Sequence, residues 1–549
     1  MAEKKRIGQL LKEKGLVTET HISVAIAQQK VTGTFLGETL VDLGFVSSKE
    51  ICQCLAEQAG LPYIDLREYP VQEDALRMIP KDVADRGEFI PIELRDGQMV
   101  IGIIDPSNII AMDTVSRITK RPPIVYMVDK EAFYDTIEKA YFFLENPITG
   151  RIEETVNRLK TTVNTADISA LTELIIMDAI RKNTTDIHIT PAEETVHVFN
   201  RIDGILQHNF CFPKRAHAGV VSKIKVMSGM DIAEQRLPQD GSFSYEFLGK
   251  EYDMRVSTIP TIYGENLVIR VLSGTGPLTR LEVLGFDPEE TKKLRILFNR
   301  PHGIILITGP TGSGKTTTLY AALREVNLLE KNVLTVEDPV EYRLSLVKQS
   351  EVNLKAGYDF ALAGRNFMRQ DPDVMLLGEI RDQETAIIAV RASITGHLVL
   401  STLHTNDAVT SIPRLFDLGV DSFLLSASLL AVVAQRLVRK ICPDCKESYQ
   451  ITDEERDLMA FFNVKDYPEV LYRGRGCKLC NNTGYLGRTA IGEIFIVDEE
   501  IKEMISKKEP TQLIREKAIE HGMKPILQDG LSKVRSGITT LEEVLRVTG

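Results

Sequence analysis

Short apolar runs alternate with helix-length segments along the second half of the chain. Four of these runs have the length of a buried strand, and each is followed by glycines or polar residues. They lie at 303–308, 333–336, 374–377 and 398–400. Strands that are apolar throughout and separated by helices are typical of a parallel sheet with helices on both faces. The pattern therefore predicts an α/β domain, which we place at 276–549.

The first apolar run leads into a glycine-rich turn and then into a helix-forming stretch. The turn fits G-x-x-x-x-G-K-[ST], in the strand–loop–helix context of a phosphate-binding loop. Its glycines let backbone N–H groups face the phosphates, and the start of the helix adds its dipole. Lys315 can reach the β- and γ-phosphates, and the Thr316 hydroxyl can coordinate Mg²⁺. We expect nucleotide contacts from Gly309, Pro310, Thr311, Gly312, Ser313, Gly314, Lys315, Thr316 and Thr317.

Polar side chains follow the other strands, at the edge of a parallel sheet where ligands bind. Glu379 is the candidate for activating the attacking water, and its role towards the metal stays open because Gly378 precedes it. Glu337 opens an acidic turn that either contacts metal or water, or is merely solvated. His397 and His404 flank one strand, and they either sense the γ-phosphate or are ordinary core histidines.

Four of the seven cysteines form two CxxC pairs, Cys442 with Cys445 and Cys477 with Cys480. The intervening 31 residues exceed the usual zinc-ribbon spacing, so they must hold a small structure of their own. Two tight pairs of thiolates suit a closed tetrahedral Zn²⁺ site, and free thiols or a redox pair are the alternatives. We place this tetracysteine module at 440–490.

An internal repeat occupies residues 1–60. Its two copies are 29 positions apart, and each predicts two short helices. The pattern then changes to mixed strands and helices at 61–144, so we treat 1–144 as one N-terminal domain. The matched pairs in the repeat are Gly8 with Gly37, Gly15 with Gly44, and Gln29 with Gln58.

Residues 145–165 are polar and predict a partly helical linker, and 166–275 predict a second domain. That domain has a helix, several strands and expected tight turns at 203–204 and 240–241. Arginines near its strands are either solvated rim charges or groups aimed at a neighbour's nucleotide, where they would stabilise charge on the departing γ-phosphate. These arginines are Arg201, Arg236, Arg255 and Arg270.

Composition limits the function classes. The chain has 549 residues, enough for three or more domains, and 66 basic against 77 acidic residues give a net charge of −11. This balance argues against a bulk nucleic-acid binder. No apolar core follows the start MAEKKR, so we expect no signal peptide and a cytoplasmic protein. The most apolar helix candidate, 423–438, is too short and too polar to span a bilayer.

These motifs, in this order, closely resemble the secretion ATPases that drive type II secretion and type IV pilus assembly. The resemblance covers nearly the whole chain, the tetracysteine module included. The matching segments are TDIHI (185–189), RIDG (201–204), RLPQDG (236–241), DMRVSTIPTIYGENLVIR (253–270), GPTGSGKTT (309–317), VEDPVE (336–341), LLGEIRD (376–382) and TGHLVLSTLHTND (395–407).

The resemblance implies a RecA-like ATPase core, an α+β PAS-like second domain, a mixed α/β N-terminal domain and a zinc-binding insertion. It also implies a homo-hexamer in which the second domain packs on a neighbour's ATPase domain, so that Arg255 and Arg270 reach the phosphates. Family members act at the cytoplasmic face of the inner membrane. They couple Mg²⁺-dependent ATP hydrolysis to rotation of a membrane platform protein, which adds pilin subunits to a filament.

The N-terminal repeat resembles the family's domain that binds cyclic di-GMP in some members. There each half begins with Arg-Leu-Gly. Here the first half has Arg6-Ile7-Gly8, but the second has Phe35-Leu36-Gly37 and lacks the arginine. Docking of the platform protein is the alternative role. The candidate ligand contacts are Arg6, Gly8, Gln29, Gly37 and Gln58.

Other readings of these motifs are weaker. Pilus retraction ATPases share the central motifs but typically lack the long N-terminal domain and the tetracysteine module. A nucleic-acid translocase is disfavoured by the acidic balance, so no nucleic-acid partner is expected. A cyclic di-GMP scaffold with a vestigial ATPase is disfavoured by the intact Lys315, Thr316 and Glu379. The sequence leaves open whether the filament serves secretion, motility, adhesion or DNA uptake.

Overall fold

Two compact units make up the structure, which is a computed structural model. One unit lies within 1–17 and 48–276, and the other lies within 18–47 and 277–549. The start of the chain before Arg6 and the expected boundary at 275–276 lie outside the described residues. None of the described helices is long and apolar enough to cross a membrane. The structure describes residues 6–67, 69, 71–273, 280–462, 468–477, 479–480 and 482–548.

Each copy of the N-terminal repeat forms two helices, as predicted. Gly15 and Gly44 follow the first helix of each copy with φ of 68° and 75°, a left-handed conformation that glycine adopts without strain. The first and fourth helices belong to one compact unit, and the second and third belong to the other. The helices are α1 (Ile7–Glu13), α2 (Glu19–Thr32), α3 (Leu36–Asp42) and α4 (Ser48–Ala59).

The next segment is mixed α/β. Its described strands form a three-stranded sheet, antiparallel between the first two strands and parallel between the second and third. Helices cover the sheet around a core that includes Phe89, Ile101 and Phe133. The elements are α5 (Glu73–Met78), α6 (Lys81–Arg86), β1 (Phe89–Arg95), β2 (Gln98–Ile103), α7 (Ile109–Thr119), β3 (Ile124–Met127) and α8 (Lys130–Glu145).

The interval expected to be a linker contains a regular helix, α9 (Ile148–Thr161), which packs beside α10 (Thr165–Arg181). Apolar residues recur along α9 at helical spacing, and they enter the core of the following sheet. The polar residues that suggested a linker lie on the outer face of the same helix. The buried residues of α9 are Ile148, Ile152, Thr155, Val156 and Leu159.

A six-stranded antiparallel sheet follows, in which the first and last strands pair at the centre. The turn at Asp203–Gly204 is confirmed between two strands. The turn expected at Asp240–Gly241 is wrong, because both residues lie inside a strand. Gly241 instead serves close packing, since a Cβ there would lie 2.4 Å from the Ser228 carbonyl oxygen. The elements are β4 (Asp186–Pro191), β5 (Thr195–Ile202), β6 (Ile205–Pro213), α11 (His217–Met227), β7 (Gln239–Phe247), β8 (Lys250–Thr261) and β9 (Gly264–Ser273).

The predicted parallel α/β core is confirmed in the second unit. Its described strands form a seven-stranded sheet in the order β12-β11-β13-β14-β10-β15-β18, where β18 is Tyr485–Ile496, and the sheet is parallel except for the last pair. Apolar cores fill both faces of the sheet. The elements up to β15 are α12 (Pro288–Phe298), β10 (Gly303–Thr308), α13 (Lys315–Glu325), β11 (Val333–Glu337), β12 (Lys348–Glu351), α14 (Phe360–Phe367), β13 (Val374–Leu377), α15 (Gln383–Ile394), β14 (Leu398–Leu403), α16 (Ser411–Asp417), α17 (Ser422–Ser428) and β15 (Leu429–Ile441).

The helix expected at 423–438 is wrong. Only Ser422–Ser428 is helical, and the chain then runs as the long strand β15 between β10 and β18. A continuous apolar run is compatible with a buried strand as well as a buried helix, so periodicity could not decide between them. This difference moves Gln435 and Arg436 onto the strand beside the phosphate-binding loop.

The tetracysteine module and the C-terminal helices complete this unit. Among its described residues, the module contains a two-stranded antiparallel ribbon and one helix between the two CxxC pairs. The elements are β16 (Lys446–Gln450), α18 (Asp453–Phe461), β17 (Val470–Gly474), β18 (Tyr485–Ile496), α19 (Glu499–Ser506), α20 (Thr511–Glu520), α21 (Ile526–Arg535) and α22 (Leu541–Thr548). Short 3₁₀ turns lie at Lys214–Ala216, Leu281–Val283 and Leu354–Ala356.

Candidate functional site

The phosphate-binding loop joins β10 to α13 through three glycines with positive φ. These angles are 148° at Gly309, 78° at Gly312 and 88° at Gly314. At Gly309 a side chain is also excluded by space, because a Cβ would lie 2.5 Å from the carbonyl oxygen of Gln435 and 2.6 Å from the Ser313 hydroxyl. The sequence therefore dictates the loop both by backbone conformation and by close packing against β15.

Lys315 opens α13 and folds back over the loop. Its Nζ donates to the carbonyl oxygens of Gly309, at 2.9 Å, and Pro310, at 3.1 Å. Burial lowers the pKa of Lys315; Glu379 opposes this effect and Arg436 adds to it. Thr316 and Thr317 are exposed on the first helical turn, where their hydroxyls are open to a ligand.

Gln435 is a functional residue that the sequence analysis missed. Its Nε2 donates to the Ser313 carbonyl at 2.7 Å, and its Oε1 accepts from the Thr318 hydroxyl at 2.8 Å. The side chain is buried, so both hydrogen bonds are shielded from water. Gln435 thus ties the loop and the start of α13 to β15. The sequence did carry a signal for this role, because Gln435 is a polar residue within an otherwise apolar run.

Glu379 lies just beyond β13, at the carboxyl edge of the sheet. Its Oε1 accepts from Arg381 at 2.5 Å, and its Oε2 lies 3.5 Å from Nε2 of His404. Burial and the charge of Lys315 lower the pKa of His404, although Glu379 opposes the shift. His404 is therefore neutral at neutral pH. The structure brings together Lys315, Glu379 and His404 from three different segments.

Glu337 ends β11 with a buried carboxylate. One oxygen accepts from the Tyr320 hydroxyl at 2.6 Å. The other accepts from the Thr335 hydroxyl at 2.6 Å and from the Gln349 amide at 3.2 Å. Burial and the hydrogen bond to Glu337 raise the pKa of Tyr320, so that its hydroxyl stays a donor. This network anchors the acidic turn that follows β11.

His397 lies away from this group, in contrast to the expectation. It precedes β14 at the amino edge of the parallel sheet, where its carbonyl accepts from the Gly303 amide at 3.1 Å. Its Nδ1 donates to the Ala392 carbonyl at 2.8 Å, so the ring caps the end of a helix. The six-residue strand β14 separates it from His404, a span of about 20 Å. A role of His397 at the γ-phosphate of its own chain is therefore wrong.

Arg255 and Arg270 face each other on neighbouring strands of the antiparallel sheet. Arg255 lies 3.5 Å from Asp253, and Arg270 lies 3.1 Å from Asp186. Both side chains are substantially exposed, at 40% and 53%. The two guanidinium groups form a basic pair that is accessible from solvent in this chain.

The candidate cyclic di-GMP residues lie on the helices of the repeat. Arg6 is exposed and caps α1, whereas Gly8 is buried in that helix. Arg6, Gly8 and Gln58 belong to the first compact unit, and Gln29 and Gly37 belong to the second. Phe35, which stands where the second copy lacks arginine, is 79% exposed.

The four cysteines of the two CxxC pairs converge. All four sulfur atoms lie within 4.8 Å of one another, and the closest pairs are 3.7 to 3.8 Å apart. Four sulfurs at about 2.3 Å from a tetrahedral zinc ion would be about 3.8 Å apart, so the set fits Zn²⁺. Burial opposes ionisation of Cys480, but the Cys477 and Gly484 amides outweigh it and lower its pKa to about 7.

Comparisons with known proteins agree with this geometry. The sequence model of the family described as "Type II/IV secretion system protein" matches residues 161–546. A "Type IV pilus assembly ATPase PilB" from Myxococcus xanthus is 36% identical over 98% of this chain and 98% of its own. The chain belongs to the type II/IV secretion system protein family. As a member of this family it is an ATPase, and its core is the expected parallel α/β sheet.

Further relatives of this secretion-family ATPase support the assignment. The "Type II secretion system ATPase E" of Vibrio cholerae is 49% identical, covering 70% of this chain and 76% of its own. The solved structure of the Legionella pneumophila ATPase DotB has a TM-score of 0.51 at 20% identity and covers 68% of this chain and 94% of that chain, which shows a shared fold alone. The MshEN domain model matches residues 59–143, so the candidate residues from Arg6 to Gln58 precede that match.

Proposed function

We propose that this ATPase is the motor that assembles a type IV pilus or a type II secretion pseudopilus. The observation that carries the proposal is the convergence of Lys315, Glu379 and His404 at the loop between β10 and α13, in a chain whose relatives carry pilus-assembly and secretion names. The motor works as a homo-hexamer, peripherally at the cytoplasmic face of the inner membrane, and acts on a membrane platform protein.

ATP binds at the carboxyl edge of the parallel sheet. The loop from Gly309 to Thr317 surrounds the β-phosphate with backbone N–H groups, and Lys315 exchanges its loop carbonyls for phosphate oxygens. Thr316 would supply a hydroxyl ligand to Mg²⁺, and the ion would neutralise part of the phosphate charge. Gln435 keeps the loop in the binding conformation by holding the Ser313 carbonyl.

Glu379 orients and deprotonates the attacking water. Arg381 and His404 hold its two carboxylate oxygens, which fixes the direction in which the carboxylate accepts the proton. Because His404 is neutral, it can donate from Nε2 to Glu379. It carries no positive charge that would compete with Lys315 for the phosphate. Glu337 acts one step away, by fixing the acidic turn, because its carboxylate is buried and both of its oxygens accept from protein donors, whereas the carboxylate of Glu379 is only partly buried.

Arg255 and Arg270 complete the site of a neighbouring subunit. Their exposure and their direct pairing across two strands support this role, since a guanidinium pair suits a triphosphate whose charge is moving to the leaving group. The domain that carries them is PAS-like, and the pairing of its first and last strands at the centre of an antiparallel sheet supports that description. Hydrolysis is thereby coupled to movement between subunits.

The tetracysteine cluster holds one structural zinc ion. Its sulfur spacing matches a tetrahedral site, and four thiolates leave no open coordination position for a substrate. The ion would join the end of β15 to the loop before β18 and thereby stabilise the module. Its role is structural, because the ligands are protein groups alone.

The N-terminal region binds cyclic di-GMP, with docking of the platform protein as the alternative. The MshEN match at 59–143 and the repeated helix pairs support the proposal, and the exposed Phe35 in place of arginine weakens one phosphate contact. Calorimetric titration of the full chain with cyclic di-GMP should release heat in wild type and less heat in Arg6→Ala. The absence of heat in wild type would leave platform docking as the role.

The function is tested in the cell. The gene is deleted and complemented with wild type, Glu379→Gln, or Glu384→Gln as a matched control on the exposed start of α15. Surface pili and secreted proteins are scored in the same cultures. Loss of pili alone, restored by wild type and the control but not by Glu379→Gln, identifies a pilus motor, and loss of secretion alone identifies a secretion motor. If neither process changes, the filament assignment is wrong and only the ATPase activity stands.

A further inference from the structure

A second cation lies beside the phosphate-binding loop. Arg436 follows Gln435 on β15, and its guanidinium donates to two backbone carbonyls, those of Asn406 at 2.6 Å and Gln435 at 3.1 Å. Asn406 lies two residues after His404, in the segment that leaves β14. Arg436 therefore bridges the strand beneath the loop and the segment that carries His404.

Arg436 has no carboxylate within ion-pair distance among the described residues. The nearest acids are engaged elsewhere: Asp407 pairs with Arg515 at 2.5 Å. Glu493 accepts the Ala408 amide at 2.8 Å and the Ile526 amide at 3.2 Å. Arg439, on the same strand, does have a buried partner in Glu543. Glu493 and Asp407 attract Arg436 only from beyond ion-pair distance, so this half-buried guanidinium, held by carbonyl oxygens, keeps part of its charge uncompensated.

The uncompensated charge faces the nucleotide site. Arg436 is close enough to Lys315 for its charge to contribute to the lowered pKa of that lysine. The Gln435 carbonyl that Arg436 contacts packs against Gly309, whose own carbonyl accepts from Lys315. Both cations therefore lie close to the first residue of the loop. Two neighbouring like charges are unfavourable unless an anion lies between them.

We propose that Arg436 binds the terminal phosphate of ATP within its own chain, as a second cation beside Lys315. A guanidinium presents several planar donors and suits phosphate oxygens, whereas carbonyls use only part of its capacity. The terminal phosphate is the favoured one because of the contact between Arg436 and the Asn406 carbonyl, two residues after His404. His404 in turn contacts Glu379, where the attacking water is placed. This inference rests on ATP binding at the loop, as proposed above.

The contact would also make the His404 segment sensitive to the nucleotide. Thr405 lies between His404 and Asn406. Its backbone is held in place, because its amide donates to the Thr308 hydroxyl at 2.9 Å. A phosphate bound by the unused donors of Arg436 would shift the guanidinium and so alter its hydrogen bond to the Asn406 carbonyl. That bond supports the segment that carries His404, so ATP and ADP would leave this segment in different states.

The test compares Arg436→Gln and Arg436→Lys with wild type and with Arg414→Gln, an exposed arginine of α16 in the same unit. Affinities for a non-hydrolysable ATP analogue and for ADP are measured on the full chain, together with the melting temperature without nucleotide. We expect Arg436→Gln to weaken the ATP analogue about tenfold and ADP less than about twofold, the range of one or two charge-assisted hydrogen bonds. Arg436→Lys should be intermediate, and Arg414→Gln should match wild type.

The outcomes separate the possibilities. Unchanged affinity in Arg436→Gln overturns the inference, and so does an equal loss for the ATP analogue and ADP with a lower melting temperature, which marks a purely structural brace. If wild type binds neither nucleotide, the proposed function fails as well. A loss confined to the ATP analogue, with an unchanged melting temperature, supports the phosphate contact.

Discussion

Oε2 of Glu379 lies 3.5 Å from Nε2 of His404, although the two residues are 25 positions apart and follow different strands. The parallel pairing of β13 with β14 brings their carboxyl ends to the same edge. Arg381 occupies the other oxygen of Glu379. The carboxylate is thus oriented before any nucleotide arrives, which is the geometry that a catalytic base needs.

Glu379→Gln should abolish ATP hydrolysis while preserving ATP binding. The amide keeps the size of the side chain but cannot accept a proton from water, so turnover should fall by about 10²-fold or more. Steady-state phosphate release and binding of a fluorescent ATP analogue measure the two effects. Glu384→Gln on α15 is the control. Retention of more than half of the wild-type turnover would remove Glu379 from the base role.

His404→Gln should lower turnover and alter its pH dependence. Burial and the charge of Lys315 lower the pKa of His404, so the ring is neutral at pH 7 and gains a proton only in acid. In wild type, turnover should therefore fall as the pH drops below the ordinary histidine range, when the protonated ring pairs with Glu379 and weakens it as a base. The variant should lack this acidic limb. An identical pH profile in both proteins would contradict the assignment.

Much of this site could be predicted because the information is local in sequence. The loop from Gly309 to Thr317 depends on consecutive residues, and Glu379 lies two positions after the end of an apolar strand. Of the two readings of His397, the structure favours the structural one, because His397 precedes β14 and so lies at the opposite edge of the sheet from the loop. Gln435 was missed because its apolar surroundings fit a helix as well as a strand, and only pairing with β10 decided between them.

Gln435→Leu should weaken ATP binding by about tenfold without changing the chemistry step. Leucine fills the space but leaves the Ser313 carbonyl and the Thr318 hydroxyl unpaired in a buried site, at a cost of about 1–3 kcal/mol each in the ordered loop. The effect should therefore fall on KM rather than kcat. Gln370→Leu, at an exposed glutamine, is the control. A fall in kcat at unchanged KM would be inconsistent with a role in loop support.

Removal of metal should destabilise the tetracysteine module. Elemental analysis should find about one zinc per chain, and Cys442→Ser should lose it and lower the melting temperature, because metal binding contributes to folding. Cys211→Ser, at an exposed cysteine outside the cluster, should retain both metal and stability. Full metal content in Cys442→Ser would show that the ion is held elsewhere.

Glu543 should make the C-terminal helix sensitive to acid. Burial alone would raise the pKa of Glu543, but hydrogen bonds from Arg546 and Arg439 outweigh it and lower the value from 4.5 to about 2. The folded state therefore holds the proton less tightly than the unfolded chain, and the stabilisation is complete above pH 4.5 and lost as the pH falls towards 2. Glu543→Gln should lower the free energy of unfolding at pH 7 by about 3 kcal/mol.

Urea denaturation at several pH values measures this effect. The gap between wild type and Glu543→Gln should narrow as the pH falls below 4.5, because protonation removes the wild-type advantage. Glu542→Gln changes the neighbouring exposed glutamate and should be close to neutral. A gap that stays constant down to pH 3 would mean that packing, rather than charge, is lost in the variant.

Strand β15 places the nucleotide site and the sulfur cluster on one continuous segment. Gln435 supports the phosphate-binding loop, and Cys442 follows seven residues later, a distance of about 23 Å along an extended chain. Oxidation of the cysteines, or loss of the zinc ion proposed above, would release the far end of this strand, while hydrogen bonds to β10 and β18 hold its middle. Filament assembly would then depend on the redox and metal state of the cell, because β15 connects the cysteine cluster to the phosphate-binding loop.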